Sequence, residues 1–271
     1  MPDITPVHPE FGKPPVIEVA IGLVFDPLLK LHPVALGAWW NQIQDEYVTI
    51  EQQPPIITRH ETFPGDPPPL PLRAEMFFPL GGSPRYWLVN KHKDRVLQVQ
   101  QDRFTTNWRR MDANDAYPEY GKSLRTEFES RWGQFLDFLH QREIGEPKIT
   151  LCEVTYVNKL TDAPPSEWAK QLPEMISPWR GDFSEELPPL EGVAIHAGFL
   201  IPDVKGRVQL MIGPNPDGSV LQLTTFARIR PDPQADAKNI IKTLDLAHDW
   251  AVHSFLACTT PAVQKSWIRK S

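Results

Sequence analysis

The chain has only two cysteines, no long apolar stretch and no excess of positive charge. Cys152 and Cys258 lie far apart in the sequence, so they form neither a disulfide framework nor the clustered ligands of a zinc site. A membrane helix needs about 20 apolar residues in a row, and no run approaches that length. The segment Met1–Lys13 has no basic stretch followed by an apolar one, so no signal peptide is expected. These absences favour a cytoplasmic protein without a bound metal or cofactor.

Motifs for nucleophilic catalysis and phosphate binding are also missing. The chain has no Gly-x-Ser-x-Gly turn, and Gly81-Gly82-Ser83 lacks the lysine of a phosphate-binding loop. Cys152 lies within an apolar strand pattern, which is typical of a buried small hydrophobic residue. Glu18 and Glu153 occupy similar places in two strands, so an acid–base pair between two halves stays open. A non-catalytic function is favoured, and an enzyme is kept as an alternative.

One helical segment has a spacing that metals can use. Asp245, Asp249 and His253 recur every four residues and share a side of a predicted helix. They point away from the apolar stripe of that helix, as solvated charges do, whereas His248 lies with the apolar stripe. We therefore predict a charged surface and one buried histidine rather than a metal site.

Charge and proline are unevenly distributed. The net charge is −6, which argues against general nucleic-acid binding. Residues 85–110 are the exception, with seven basic and two acidic residues, a local balance of +5. The seven are Arg85, Lys91, Lys93, Arg95, Arg103, Arg109 and Arg110. The 30 prolines are about twice the usual ~5% share, and the run Pro64–Pro71 predicts a stiff extended connector.

The same order of elements is expected twice along the chain. In residues 1–145 the predicted elements are strand Val16–Phe25, helix Pro33–Tyr47, strands Leu72–Pro79, Arg85–Asn90, Arg95–Gln101 and Phe104–Trp108, and helix Tyr117–Gln141. In residues 146–271 they are strand Lys148–Lys159, helix Ser166–Ile176, strands Gly192–Ile201, Arg207–Ile212 and Val220–Arg230, and helix Asp236–Ala257. We predict an α+β fold of two tandem β-α-β-α halves in one pseudo-symmetric unit. An antiparallel curved sheet would carry the long helices on one face, as in TATA-binding-protein-like folds.

Several short motifs carry a resemblance to a known family. They are Pro14–Glu18, Leu36-Gly37-x-Trp39, Leu97–Arg109, Tyr117-Pro118-x-Tyr120, Tyr156-Val157-Asn158 and Trp267. Together they resemble a sporadically distributed bacterial family of uncharacterised proteins, whose most specific signature is Gln-x-Gln-x-Asp-Arg-Phe-x-x-Asn-Trp-Arg. The resemblance implies a patchily distributed bacterial protein, as expected for mobile or conflict-related gene islands. It transfers no catalytic residue and no ligand.

The segment that holds this signature is also the best candidate binding site. Strand alternation places Gln98 and Gln100 on one face, and Arg103, Asn107 and Arg109 extend it with further donors. Such donors hold an anion or a planar polar ligand, and Trp108 could stack on it. The predicted ligand-binding set is Gln98, Gln100, Arg103, Asn107, Trp108, Arg109 and Asn158. A purely structural role at the corner between sheet and helix is the alternative.

Three functions remain open from the sequence. The first is a non-catalytic binding or accessory protein of a mobile, defence or toxin–antitoxin type operon, with a protein partner or a second copy of the chain. The second is nucleic-acid binding through the basic segment together with Trp87 and Trp108, using Arg85, Lys91, Lys93, Arg95 and Arg110 as well as Arg103 and Arg109. The third is an enzyme with a site between two halves. Trp39, Trp40 and Trp267 fit either a dimer contact or a core.

Overall fold

The structure, a computed structural model, describes residues 9–56, 61–66, 84–180 and 192–270. The strands in this part of the chain are β1 (Val16–Phe25), β2 (Thr49–Gln53), β3 (Arg85–Val89), β4 (Arg95–Gln100), β5 (Arg103–Arg109), β6 (Ile149–Thr161), β7 (Ile195–Ile201), β8 (Gly206–Pro214) and β9 (Leu221–Ile229). The helices are α1 (Pro33–Ile43), α2 (Arg125–Gln141), α3 (Pro165–Met175), α4 (Ala237–Cys258) and α5 (Pro261–Ser266). None of the helices in these ranges is long and apolar enough to cross a membrane.

The strands hydrogen-bond in the order β2-β3-β4-β5-β1-β6-β9-β8-β7. The hairpins β3–β4, β4–β5 and β8–β9 are antiparallel, as are the pairs β2–β3 and β7–β8. Sheet and helices thus form an α+β fold with an antiparallel sheet, which confirms that part of the prediction.

The chain divides into two compact units. Unit 1 comprises Met1–Val19, Val154–Ile229 and Ile241–Ser271, and unit 2 comprises Ala20–Glu153 and Arg230–Ile240. Strands β1 and β6 contribute residues to both, because the boundary falls within each of them.

The core of unit 2 is an aromatic cluster between α1, α2 and the sheet. The ring centroid of Phe135 on α2 lies 5.0 Å from that of Trp39 on α1 and 5.1 Å from that of Phe104 on β5. All three side chains are at most 1% exposed. Such contacts add about 0.5–1.5 kcal/mol per pair beyond the burial of apolar area. Trp39 therefore belongs to a core.

The sequence of the predicted helix Tyr117–Gln141 carries an apolar stripe at helical spacing, which predicts a side that faces the core: Tyr117, Leu124, Phe128, Trp132, Phe135 and Leu139. Leu124, Phe128, Phe135 and Leu139 are buried. The predicted start at Tyr117 was too early, because the chain first makes a π-helical turn over Tyr120–Leu124 and becomes α-helical only at Arg125. Periodicity of 3.6 residues does not distinguish a π-turn from an α-turn over so short a stretch.

The core of unit 1 joins α3, β8, β9, α4 and the end of the chain. The rings of Phe255 and Trp267 stack with centroids 5.4 Å apart, and Phe11 contacts both edge-on. The segment before β1 is fixed to the C-terminal residues of this core, since Gly12 N–H donates to the carbonyl of Ile268 over 2.9 Å. Trp267 is 9% exposed, so it also packs in a core.

Two elements were missed from the sequence, and one falls outside the described residues. Strand β2 was not predicted because Thr49–Gln53 is almost wholly polar and exposed, with no alternation of apolar residues. The short helix α5 begins at Pro261 behind the N-cap Thr260, whose hydroxyl accepts from Val263 N–H over 3.2 Å. The predicted strand Leu72–Pro79 and most of Pro64–Pro71 lie outside the described residues.

The aromatic cluster makes a testable prediction about stability. Phe104→Ala removes a fully buried ring from the centre of the cluster and should lower the free energy of unfolding by about 3–5 kcal/mol. Phe199→Ala is the matched control, because Phe199 is 52% exposed, and it should change stability little. Urea denaturation followed by circular dichroism measures both. Equal effects of the two substitutions would contradict this account of the core.

Candidate functional site

The side of β3, β4 and β5 opposite the aromatic cluster carries a set of polar side chains, here called the polar face. Alternation along β5 turns Arg103, Thr105, Asn107 and Arg109 away from the side on which Phe104 contacts the helices. The strand register places these residues beside others of the same side: Gln100 pairs with Arg103, Gln98 with Thr105, and Trp87 with Gln98. The face belongs entirely to unit 2.

Gln98 links the three strands of this face. Its Oε1 accepts from Arg85 Nη1 over 2.7 Å and from the indole N–H of Trp87 over 3.0 Å. Its Nε2 donates to Asn107 Oδ1 over 2.7 Å. The amide is thereby fixed in orientation, and it holds the indole and the guanidinium beside each other. Gln98 and Asn107, both predicted site residues, are brought together by direct contact.

Trp87 lies between two guanidinium groups. The Cζ of Arg85 is 5.4 Å from the centroid of the indole ring, and the Cζ of Arg109 is 5.6 Å from it. Cation–π contacts at this range contribute about 0.5–1 kcal/mol at exposed sites. Arg109 is also held by its Nη2, which donates to the carbonyl of Lys93 over 3.1 Å. The partly exposed indole thus contacts two guanidinium groups, each of which is held by a hydrogen bond of its own.

Gln100 has a different role from Gln98. Its Oε1 accepts from Ile56 N–H over 2.9 Å, while its Nε2 donates to the carbonyl of Ile56 and to Asp102 Oδ1 over 3.0 and 2.8 Å. The side chain is 6% exposed. Its hydrogen bonds fasten the chain after β2 onto the sheet, so Gln100 is a structural residue of the face.

Arg103 forms a buried ion pair. Its Nη1 bonds to Glu153 Oε2 on β6, and each side chain is only 7% exposed. The pair reaches past β1, which lies between β5 and β6 in the sheet order. Gly22 of β1 is a point of close approach, because a Cβ there would lie 2.6 Å from Thr105 Oγ1. Glu153 therefore binds a cation across β1.

One N–H group of the Arg103 guanidinium, at Nε, makes no hydrogen bond to the described residues. Its Nε is buried and has no hydrogen-bond partner among the described residues, and the same holds for the Nε atoms of Arg85 and Arg109. Burial lowers the pKa of Arg85 from its ordinary value, and the nearby charge of Arg103 lowers it further. Arg85 and Arg103 are thus close enough for their charges to interact, and Arg103 is the one paired with Glu153.

Other predicted residues lie away from this face. Trp108 is on the helix-facing side of β5, where it is 3% exposed, its ring centroid is 5.7 Å from that of Tyr117, and Arg110 lies over it. Asn158 is in unit 1, and its Nδ2 donates to the carbonyl of Leu223 over 3.3 Å. The prediction that Trp108 supplies a stacking surface is wrong, since its ring is buried in the core.

The basic segment 85–110 is divided by the fold. Arg95 bonds through Nε to Glu127 and through Nη1 to Asp94, each at 2.7 Å. Lys91 and Lys93 lie in the exposed turn between β3 and β4, where Lys93 has a φ of 61°. Only Arg85, Arg103 and Arg109 lie on the polar face. Arg85 and Trp87 were predicted for the nucleic-acid alternative but not for the ligand set; they share one face of β3, and their alternation was the signal that could have added them to that set.

Two further residues match their sequence-based interpretation. Cys152 is fully buried, and burial raises the pKa of its thiol well above the ordinary value, which disfavours a reactive thiolate. His248 is 7% exposed, and its Nδ1 lies 2.8 Å from the hydroxyl of Tyr156. It is a buried histidine with a partner, as predicted.

Comparisons with known proteins add little to this geometry. No family model matches the chain, and no curated protein matches its sequence. Among solved structures, the crystal structure of DynU16, a protein of the dynemicin biosynthetic locus, has 12% sequence identity and a TM-score of 0.22. That match covers 90% of this chain and 96% of that chain. At this TM-score the likeness carries no argument about fold or function.

The buried ion pair yields a prediction about stability. Arg103→Gln should lower the free energy of unfolding by about 3–5 kcal/mol, because it leaves the Glu153 carboxylate buried without a cation. The double variant Arg103→Gln/Glu153→Gln should lose less than Arg103→Gln alone, since no uncompensated charge remains. Urea denaturation provides the measurement, with the exposed Arg142→Gln as a control that also removes one positive charge. If Arg103→Gln were no more destabilising than this control, the pair would not be buried as described.

Proposed function

We propose that the protein is a non-catalytic binding component that recognises an acidic protein partner through the polar face around Trp87. The observation that carries this proposal is the indole of Trp87, held by Gln98 and flanked by the guanidiniums of Arg85 and Arg109. Trp and Arg are the residue types that dominate binding energy at protein interfaces. Their positions are fixed by hydrogen bonds, so binding would spend little entropy on ordering them.

The charge of the face decides the kind of partner. Arg85, Arg103 and Arg109 lie on this face with two carboxylates, Glu153 paired with Arg103 and Glu51 of β2 opposite Trp87 in the strand register, although the chain as a whole carries −6. A positive face on a negative protein attracts carboxylates locally while the remaining surface repels them. Guanidinium groups bind carboxylates in a planar, two-bond geometry that lysine cannot reproduce. Acidic side chains of a protein are therefore the preferred ligands.

The wider biological setting of this proposal rests on the family resemblance in the sequence. A sporadic bacterial distribution fits an accessory protein of a mobile, defence or toxin–antitoxin type operon that works in the cytoplasm. A second copy of the chain is an alternative partner.

A tandem origin of the chain belongs to the same proposal. The order strand, helix, strands, long helix occurs twice, and in each run the first strand hydrogen-bonds to the last, β1 to β5 and β6 to β9. This repetition supports two halves, residues 1–145 and 146–271, related as in TATA-binding-protein-like folds. A likeness between folds does not imply that the chain binds DNA.

Nucleic-acid binding is the second candidate function. It is favoured by Arg85, Trp87 and Arg109, because stacking aromatics and cations on one sheet face are what single-stranded nucleic acids use. Arg95 and Arg110 are occupied elsewhere, by Glu127 and by Trp108. The smaller number of cations on the face makes a protein partner the better fit.

A capture experiment tests the proposed function. The tagged full-length chain is used to retrieve partners from its native host, with mass spectrometry and nucleic-acid staining of the eluate. We expect a stoichiometric protein retained by the wild type and by Trp250→Ala, a control in the partly buried Trp250 of α4, but lost with Trp87→Ala. Trp87→Ala removes the surface on which Arg85 and Arg109 lie.

The same experiment separates the alternatives. Retention of the protein by Trp87→Ala would contradict the assignment of the polar face. Nucleic acid that leaves the wild-type eluate as salt rises, with no protein retained, would favour the second candidate, because phosphate contacts weaken steeply with salt.

A further inference from the structure

Strand β7 of unit 1 exposes large apolar side chains on both of its sides. In the described part of the chain, β7 hydrogen-bonds to a single neighbour, β8, at the end of the strand order. Phe199 and Leu200 follow each other in this strand, so their side chains point to opposite sides of the sheet, yet they are 52% and 53% exposed. A molecule docked on one side of the sheet would cover only one of them. A strand added at the edge would cover both.

The edge of β7 lacks the features that keep strands from pairing with another chain. Native edge strands are very short, or carry charged residues, proline or a bulge. The seven residues of β7 include no charge and no proline, and their register with β8 runs one to one without a bulge. At the other end of the strand order, β2 is shorter and polar, and carries Glu51. Of these two strands, β7 is therefore the one suited to accept a further strand.

The sequence of β7 is complementary to itself in an antiparallel arrangement. A second copy, related by a two-fold axis at the middle residue Gly198, would pair all seven residues across the edge. The pairs between the two copies would be Ala197 with Phe199, His196 with Leu200 and Ile195 with Ile201. The bulky ring of Phe199 would thus lie beside the methyl group of Ala197, and apolar cross-strand contacts of this kind stabilise a sheet.

Charge favours a second copy of the chain over a charged partner. The chain carries −6, so two copies repel each other over most of their surfaces. Neither β7 nor the segment 192–194 before it contains a charged residue, so pairing at this edge brings no like charges opposite each other. A strand without charges also offers an acidic or basic partner no complementary group.

The size of the edge determines the strength of the contact. A standard protein interface uses about 20–30 residues from each partner, whereas β7 offers seven residues and their immediate flanks. Interfaces at the low end of the size range belong to weak and transient complexes. A dimer formed here should therefore be reversible, and at a concentration of about 1 µM the chain should be a monomer.

We propose that β7 is a dimerisation edge, at which two copies of the chain join their sheets through an antiparallel β7–β7 pair with its two-fold axis at Gly198. Main-chain hydrogen bonds supply affinity in such strand addition, and the side chains on both sides supply specificity. This edge belongs to unit 1 and the polar face to unit 2. The dimer is therefore independent of the proposed acidic partner.

Sedimentation velocity of the full-length chain, from about 1 to 400 µM, tests the dimer. We expect a reversible monomer–dimer equilibrium with a Kd on the order of tens of micromolar. Phe199→Lys and Leu200→Lys should each raise Kd about tenfold or more, because lysine on an edge strand opposes pairing. Leu29→Lys is the matched control. Leu29 is 79% exposed in the turn between β1 and α1, and its substitution should change Kd by no more than about twofold.

Disulfide trapping tests the register. In Gly198→Cys the two thiols would lie opposite each other at the axis, within the range of a disulfide, so oxidation with diamide should give a covalent dimer. A Cβ at position 198 would meet Arg207 Cδ at 3.7 Å, an ordinary contact. Ala197→Cys is the control, because its two thiols would lie diagonally and further apart. The native Cys152 and Cys258 are buried and should contribute little.

Three results would overturn the dimerisation edge. They are a monomer at every concentration, a Kd that Phe199→Lys raises no more than Leu29→Lys does, and equal trapping of Gly198→Cys and Ala197→Cys. Circular dichroism confirms that each variant is folded before these measurements.

The remaining variant separates this edge from the polar face. Trp87→Ala should dimerise like the wild type, since Trp87 is in unit 2. Loss of the dimer in Trp87→Ala but not in Phe199→Lys would place the second copy on the polar face and refute the edge. An acidic partner that is captured through Trp87 has no bearing on this result, so the two proposals can fail separately.

Discussion

A guanidinium taken out of water must find its counter-charge inside the protein, and Arg103 on β5 imposes that requirement on unit 2. Its partner is Glu153 on β6, reached past the intervening strand β1. The glycine at position 22 of β1 fits this arrangement, since the face has no side chain there. Isolated buried charges cost several kcal/mol each, so the register of these strands and the pairing of the two residues are coupled. Arg103, a member of the polar face, is thereby fixed to β6.

The two sides of the sheet in unit 2 differ in character: one is an apolar core and the other carries the proposed recognition surface. On one side Trp39, Phe104 and Phe135 supply apolar burial. On the other side hydrogen bonds through Gln98 fix Trp87 and Arg85, so the groups of the proposed site are held by a sheet rather than by loops. Strand alternation makes both sides possible within a single stretch of sequence, because Phe104 and Arg103 are neighbours in the chain. The signature segment therefore serves the core and the candidate site together.

The sequence alone predicted strands and helices correctly where the apolar residues recur with a clear period. Alternating Val19, Ile21 and Leu23 predicted β1 with its observed bounds, and the stripe on α2 predicted the buried face of that helix. It failed at β2, whose polar residues form a strand only because β3 offers hydrogen bonds along its edge. Patterns within one segment carry no information about such a partner.

The candidate site was predicted only in part, because its contacts also depend on neighbouring strands. Alternation identified Gln98 and Arg103 correctly as members of one face, but it placed Trp108 on that face although its parity along β5 is opposite to that of Arg103. The partner of Arg103 could not be read from the chain, because Glu153 is 50 positions away. Such a pairing depends on strand order, which local patterns do not determine. Trp87 acquires its role only through the register of β3 against β4.

The most direct measurement is the ¹H–¹⁵N resonance of Arg103 Nε, assigned by its loss in Arg103→Lys. We predict that this N–H exchanges with water much more slowly than that of the exposed Arg142, because the Arg103 guanidinium is buried and paired with Glu153. Exchange as fast as that of Arg142 would contradict a buried guanidinium paired with Glu153.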